Sequence, residues 1–107
     1  MADSPRMEKL REMLQRTPDD AFLLYCMAME HRKAGDAAQA VATFDRVTQL
    51  DPAYCAAYHM KAQTLEAGND FAAARQAYRD GIAAAARKGD EHARQEMSAA
   101  LEAIEAL

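Results

Sequence analysis

The amino-acid sequence predicts an all-α fold in which antiparallel helix hairpins follow one another along the chain. Its 107 residues are rich in alanine, poor in β-branched residues and free of tryptophan, a composition that favours closely packed helices over a sheet. Apolar residues recur at helical spacing, and turn signals separate the apolar segments. These signals are Gly35-Asp36, Asp51-Pro52, Gly68-Asn69-Asp70 and Gly89-Asp90. A chain of this length has room for one small core, so we expect a single domain over residues 1–107.

The first helix is predicted over residues 4–17. Ser4 supplies a capping hydroxyl, and Pro5 fits the first helical position, where a missing N–H costs nothing. Thr17 and Pro18 end the helix. Its apolar face consists of Met7, Leu10, Met13 and Leu14. A short helix with one apolar face needs a neighbour to cover that face.

A helix hairpin is predicted over residues 18–52. Its helices run from Ala21 to Ala34 and from Ala37 to Leu50, with Gly35 ending the first and Asp36 capping the second. The first helix carries one stripe of Leu24, Met27, Ala28 and His31, and a second stripe of Phe22, Tyr25 and Met29. The predicted inner face of the second helix is Ala37, Ala40, Val41, Phe44 and Val47.

The same plan returns over residues 53–88 and is followed by a last helix over residues 90–107. Gly81 lies inside a predicted helix, where glycine costs about 1 kcal/mol relative to alanine. Either two helices approach closely there or the helix tolerates the glycine. The predicted buried residues are Ala57, Tyr58, Met60, Ala62 and Leu65, then Phe71, Ala74, Tyr78, Ile82 and Ala85. The last helix is amphipathic, with Ala93, Met97, Ala100, Leu101 and Ile104 inward, and we expect it to cap the stack.

Matching residues recur 34 positions apart in the two hairpins. This shift superposes Pro18 on Pro52, Ala28 on Ala62, Asp36 on Asp70, Ala40 on Ala74 and Phe44 on Tyr78. The period and these residues resemble the tetratricopeptide repeat, whose pattern has the form W-x2-L-G-x2-Y, then A-x3-F, then P. The resemblance covers Pro18 to about Ala86, and it implies a short right-handed α-solenoid of about six helices.

Four positions depart from the family pattern. They are Leu24 for the Trp, His31 for the Tyr, Lys61 for the Leu, and Ala86 where the last proline would stand. The small residues and the aromatic residue are kept. We expect Phe44 and Tyr78 to fill the space between adjacent hairpins. The residues expected to allow close helix approach are Ala28, Ala40, Ala62 and Ala74.

The resemblance also implies a function, because tetratricopeptide domains bind partner segments in a concave groove lined by the first helix of each repeat. Carried over to this chain, the groove residues are Phe22, Tyr25, Met29, Arg32, Lys33, Tyr54, Ala56, His59, Gln63 and Glu66. The run from Ala21 to Met29 supports a binding surface independently, since it is apolar nearly all round. We predict a non-enzymatic adaptor that binds an unidentified protein or peptide. Packing against the N-terminal helix, or a thickened core, would explain the same side chains, and these interpretations stay open.

Self-association is the alternative function. A second copy that covers Phe22, Tyr25 and Met29 would make the chain a structural protein and a weak homo-oligomer. Some tetratricopeptide domains hold the C-terminal carboxylate of chaperone tails with a clamp of Lys, Asn and Arg. The matching places here are Tyr25, Met29 and Met60, so an adaptor of that kind is not expected.

Charge and hydropathy argue against two other classes of partner. The formal net charge is −4, and Lys and Arg are scattered, whereas nucleic-acid binders usually carry a basic stripe. The longest apolar run is far shorter than the roughly 18 residues of a membrane span, and the segment Met1–Pro5 lacks the apolar core of a signal peptide. We expect a cytoplasmic protein with no nucleic-acid or membrane partner, in which Cys26 and Cys55 are reduced thiols.

A thiol or metal site at Cys55 and His59 is a third hypothesis. The two residues lie four apart on one predicted helix, so they could be neighbouring ligands, but Cys26 or His31 would have to complete the site. The sequence has no Gly-rich phosphate loop after a strand, no Ser-centred elbow and no metalloprotease motif. We therefore predict no catalytic residue, no metal and no cofactor.

Overall fold

The computed structural model describes residues 3–107, and over this range the chain forms six helices and no strand. The helices are α1 (Pro5–Arg16), α2 (Ala21–Lys33), α3 (Ala37–Leu50), α4 (Cys55–Ala67), α5 (Phe71–Lys88) and α6 (Glu91–Glu105). Met1 and Ala2 lie outside the described residues. They are the first two residues of the predicted domain and of the segment Met1–Pro5. The predicted all-α fold with about six helices is confirmed.

The helices pack in the order in which they occur in the chain. Each helix from α1 to α5 contacts the helix that follows it, and α4 also has a small contact with α6. The protein extends 41 Å along its longest axis and 18 Å along its shortest, as expected for a linear, solenoid-like stack. Within the described range, no helix combines the length and the apolar character that crossing a membrane requires.

Side-chain caps fix where five of the helices begin. The Ser4 hydroxyl accepts a hydrogen bond from the Met7 backbone N–H at 3.1 Å. Carboxylates cap α2, α3, α5 and α6 in the same way, and they belong to Asp20, Asp36, Asp70 and Asp90. Gly35 and Gly89 take left-handed φ angles of 82° and 79° after α2 and α5. In the turn between α4 and α5, Asn69 instead has the positive φ angle, at 62°.

Three apolar clusters divide the core. The first lies between α1 and α2 and contains Met7, Leu10, Leu23 and Met27. The second contains Ala28, Ala40, Phe44, Val47 and Ala57. The third contains Cys55, Ala62, Ala74, Ala77, Tyr78, Ala85, Met97 and Ile104. Phe44 and Tyr78 are 0% and 1% exposed, and the four alanines at the repeat positions are fully buried, which confirms the packing predicted for them.

The predicted core was wrong at several positions. Met13, predicted on the apolar face of α1, is 40% exposed, and Ala77 and Ala84 are buried although they were not predicted to be. Ala37 was assigned to the inner face of α3 but is exposed, because it is the first residue of the helix and lies at the turn next to the capping residue Asp36. Leu23 was left out of the predicted core but is buried, because α1 packs over it.

Gly81 marks a close approach of helices. A Cβ atom built at this position would lie 2.7 Å from the Tyr58 Cβ on α4 and 2.5 Å from the Met97 Sδ on α6. Contacts between carbon atoms are optimal at about 3.5–4.0 Å. Of the two explanations that the sequence left open, close helix approach is therefore the correct one.

Candidate functional site

α1 leaves the groove stripe of α2 uncovered. The cluster that α1 forms takes Leu23 and Met27 from α2, and none of Phe22, Tyr25 and Met29 belongs to it. Phe22 is 62% exposed. Tyr25 and Met29 pack at the edge of the second cluster, so they contribute to the core while remaining partly exposed. These observations exclude packing against the N-terminal helix as the role of Phe22, Tyr25 and Met29. Tyr25 and Met29 do thicken the core, and Phe22 does not.

One end of the groove is aromatic. Phe22, Tyr25 and Met29 occupy the spacing i, i+3 and i+7, which places them on one face of α2. The Tyr25 ring centroid lies 5.8 Å from that of Phe44 and 5.2 Å from that of Tyr54, with the two tyrosines stacked. Burial raises the pKa of the Tyr25 and Tyr54 phenols, so both remain neutral. We call Phe22, Tyr25, Met29 and Tyr54 the aromatic end.

The other end contains a hydrogen-bonded relay. Arg32 Nη2 donates to Gln63 Oε1 at 3.3 Å, and Gln63 Nε2 lies 3.3 Å from His59 Nε2. Because the Gln63 oxygen already accepts from Arg32, the Gln63 amide N–H faces His59 Nε2 as the donor of this contact. We call Arg32, Gln63 and His59 the polar relay. It joins α2 of the first hairpin to α4 of the second.

Tyr78 reaches the groove from α5. Its hydroxyl donates to Glu66 Oε1 at 3.0 Å, and its ring lies 5.9 Å from that of His59. Burial, assisted by the hydrogen bond to Glu66, raises the pKa of Tyr78 to about 12. The sequence predicted Tyr78 only as a core residue. The one signal of a further role was the hydroxyl at a position where the first hairpin has Phe44.

Two predicted groove residues have little contact with the rest of the molecule. Lys33 and Ala56 are both exposed. Among the ion pairs of the described residues, none involves Lys33 or its neighbour Arg32.

A recess of about 630 Å³ adjoins the polar relay. Its lining residues are Gln63, Glu66, Ala67, Phe71, Tyr78, Ala100 and Leu107. Ala67, Phe71, Ala100 and Leu107 were not predicted as groove residues. The position of Ala100 and Leu107 depends on how α6 docks, and the repeat pattern on which the prediction relied stops before α6. Ala67 and Phe71 lie at the turn between α4 and α5, outside the groove positions that the family pattern supplies.

Cys55 and His59 do not form a joint site. Cys55 is buried, and its Sγ lies 3.5 Å from the Ala53 carbonyl oxygen, whereas the His59 ring contacts Gln63 and Tyr78. Burial also raises the pKa of the Cys55 thiol, which disfavours the thiolate that a metal or a nucleophilic reaction requires. Over residues 3–107, no group of three or more His, Cys, Asp or Glu side chains is placed to hold a metal ion.

No protein-family model matches the chain. A Pseudomonas aeruginosa protein named as a TPR (tetratricopeptide) repeat-containing protein is 34% identical to it over 99 residues, which are 92% of this chain and 94% of that protein. The chain belongs to the tetratricopeptide repeat family.

Solved structures agree with this assignment. A crystal structure of a tetratricopeptide repeat domain protein from Salinibacter ruber is 30% identical, with a TM-score of 0.74 over 82% of this chain and 98% of that chain. The TPR2B domain of yeast Sti1, solved in a complex with pHsp70, is 21% identical, with a TM-score of 0.84 over 92% of this chain and 79% of that chain. This likeness shows the fold alone. The predicted groove between α2 and α4 therefore lies on a tetratricopeptide scaffold.

Proposed function

We propose that this protein is a non-enzymatic adaptor that binds a peptide or helix of a partner protein in the groove formed by α2 and α4. The observation that carries the proposal is the 62% exposure of Phe22, a large apolar side chain beside the partly exposed Tyr25. Contiguous exposed apolar surface on a small domain is typical of an interaction site. Aromatic and methionine side chains suit the apolar face of a partner helix or an extended apolar peptide.

The fold of the structural neighbours supports a scaffold role. The Sti1 domain was solved with pHsp70, so a domain of this fold holds a partner in that case. This support is an analogy at the level of the fold and does not extend to the identity of the partner. Because Tyr25, Met29 and Met60 occupy the places of the carboxylate clamp, a chaperone tail held by its C-terminal carboxylate is not the partner that we propose.

The groove is short, since only two full repeats line it. Association must offset a loss of translational and rotational freedom of at least about 4 kcal/mol before any affinity is gained. We therefore expect an isolated peptide to bind with a Kd of about 1 μM or weaker, and tighter retention only where the partner is multivalent.

The experiment is a pull-down from a cytosolic extract, the compartment that the sequence predicts, with wild-type protein and a Phe22→Ser variant. Phe22 is a better target than Tyr25, because removal of the Phe22 ring leaves the core intact. The Tyr25 ring, in contrast, packs on Phe44. Met13→Ser is the matched control, since Met13 is 40% exposed and lies on α1, away from the groove. A partner retained by the wild type and the control but lost by Phe22→Ser supports the adaptor.

Self-association is the alternative that the same variants test. Molecular mass measured over a range of concentrations distinguishes the two functions. A monomer with an available groove agrees with the adaptor. A tight dimer that Phe22→Ser dissociates, and that Met13→Ser does not, would replace the adaptor by a self-associating structural protein.

A further inference from the structure

We infer that the partner segment is apolar at one end and carries side-chain carboxylates at the other. This inference rests on the proposed function and names the chemistry of the partner. It follows from the unequal ends of the groove, with the aromatic end around Tyr25 and two cations, Arg32 and Lys33, at the other.

The separation of the two ends fixes the spacing of the partner's residues. Tyr25 and Arg32 are seven residues apart on α2, which corresponds to about 10 Å at a rise of about 1.5 Å per residue. An extended partner covers that length in about three residues, at about 3.3 Å each. A helical partner covers it in about seven residues. The carboxylate should therefore follow or precede the apolar anchor by one of these two intervals.

The charges of the molecule favour an acidic partner at this end. The formal net charge of the chain, −4, by itself disfavours an acidic partner, so the preference comes from the local charge of Arg32 and Lys33. Carboxylates of the chain already pair with another set of its cations. This paired set is Arg6, Arg11, Arg46, Lys61, Arg79 and Arg94. Seven cations have no such pair within residues 3–107, namely Lys9, Arg16, Arg32, Lys33, Arg75, Arg87 and Lys88, and of these only Arg32 and Lys33 belong to the predicted groove. Glu66 also lies on this part of the groove; it accepts the hydrogen bond of Tyr78 and keeps its negative charge, but it forms no ion pair with Arg32 or Lys33.

Arg32 is also held ready for a carboxylate. One of its guanidinium N–H groups donates to Gln63, and the others remain to bind an incoming oxygen in a forked geometry. A side chain that is fixed before binding loses less conformational freedom on binding. Since the clamp for a C-terminal carboxylate is missing, the partner's carboxylates are those of Asp or Glu side chains.

The test is a selection of random peptides displayed between fixed flanks, so that no free C-terminus is offered. Wild-type protein, Phe22→Ser, Lys33→Glu and the matched control Lys9→Glu are used as baits. Lys9 is exposed on α1, so its reversal changes the net charge equally without changing the groove. We expect the selected peptides to bind the wild type and Lys9→Glu but not Phe22→Ser. Their sequences should place Asp or Glu about three or about seven residues from an aromatic or aliphatic residue.

The preference for acidic residues should disappear with Lys33→Glu. Changing Glu to Gln in a selected synthetic peptide should weaken its Kd by about 2- to 5-fold at low salt, with a smaller effect at high salt. Peptides that need Phe22 but show no acidic preference, or the same preference with Lys33→Glu, would overturn the inference and leave the adaptor standing. If no peptide depends on Phe22, the proposed function and the inference both fail. A selected peptide that gains about 10-fold on exposure of a free C-terminus, compared with its amidated form, would point to a terminal carboxylate instead and would also overturn the inference.

Discussion

Replacing Gly81 by alanine should destabilise the protein, although α5 would gain a better helix former. Helix propensity alone favours alanine by about 1 kcal/mol. The added Cβ would, however, lie 2.5 Å from the Met97 Sδ and 2.7 Å from the Tyr58 Cβ. Met97 is fully buried and has little room to withdraw its sulfur. The Tyr58 Cβ is bonded directly to the backbone of α4, so relief of that contact requires α4 and α5 to separate.

The magnitude follows from these opposing effects. Overpacking of a core typically costs about 1–3 kcal/mol, and subtracting the propensity gain of about 1 kcal/mol leaves a net loss of up to about 2 kcal/mol. Urea denaturation followed by circular dichroism measures the free energy of unfolding, and Tm should fall by roughly 4–8 °C per kcal/mol in a domain of this size.

Gly68→Ala is the matched control for this prediction. A Cβ at Gly68 would lie no closer than 3.6 Å to the nearest heavy atom, the Leu65 carbonyl oxygen, so alanine is accommodated there. We expect this variant to be as stable as the wild type or slightly more stable. A Gly81→Ala variant that is as stable as the wild type would refute the conclusion that the cost of packing outweighs the gain in helix propensity where α4, α5 and α6 meet.

Three further predictions follow from the core and the candidate site. Phe44→Ala should lower the free energy of unfolding by about 3–5 kcal/mol, because Phe44 is fully buried; a loss below about 1 kcal/mol in chemical denaturation would contradict its role between the hairpins. The pKa of Tyr78 is raised to about 12, from about 10 in an unfolded chain, so the stability that it contributes is complete below pH 10 and is lost as the pH rises from about 10 to 12. Tyr78→Phe should lose less stability than the wild type over this range in denaturation experiments at increasing pH, and parallel losses would show that Tyr78 does not titrate as described. Zinc should leave Tm unchanged in the wild type and in Cys55→Ser, since Cys55 and His59 face different partners; a rise that Cys55→Ser abolishes would restore the metal hypothesis.

Much of the fold could be predicted because the residues that recur in the repeat are the ones that pack between its helices. Alanines recur 34 residues apart, as at Ala28 and Ala62. A solvent-exposed face gives no reason for alanine to recur with this period, and both residues are in fact fully buried. The errors at Leu23 and Ala37 lie where the repeat gives no information. Leu23 is buried by α1, which is only half of a repeat, and Ala37 is exposed because its helix begins at that residue.

The candidate site was predictable in position but not in its contacts. Helical register places Arg32, His59 and Gln63 on one side of α2 and α4, but the relay depends on the offset between these helices and on side-chain rotamers. The bond from Tyr78 to Glu66 likewise joins α5 to α4 across a turn. Neither of these features has a signature in a single sequence, because each arises only when packing has fixed the distance between the helices.

A core residue supports each end of the groove, and these two core residues occupy equivalent positions in the repeat. Substitutions at the two positions nevertheless differ in how they affect stability and recognition. Phe44 supports the aromatic end through its contact with Tyr25, and Tyr78, which is 34 residues later, holds Glu66 at the polar end. Loss of the Phe44 ring removes core packing and the support of Tyr25 together. Tyr78→Phe keeps the ring in the core and removes only the hydroxyl, so Glu66 becomes available beside the polar relay. Because Glu66 keeps its negative charge whether or not it accepts this hydrogen bond, Tyr78→Phe changes only how firmly the carboxylate is held, whereas Phe44→Ala removes core packing and the support of the aromatic end at once.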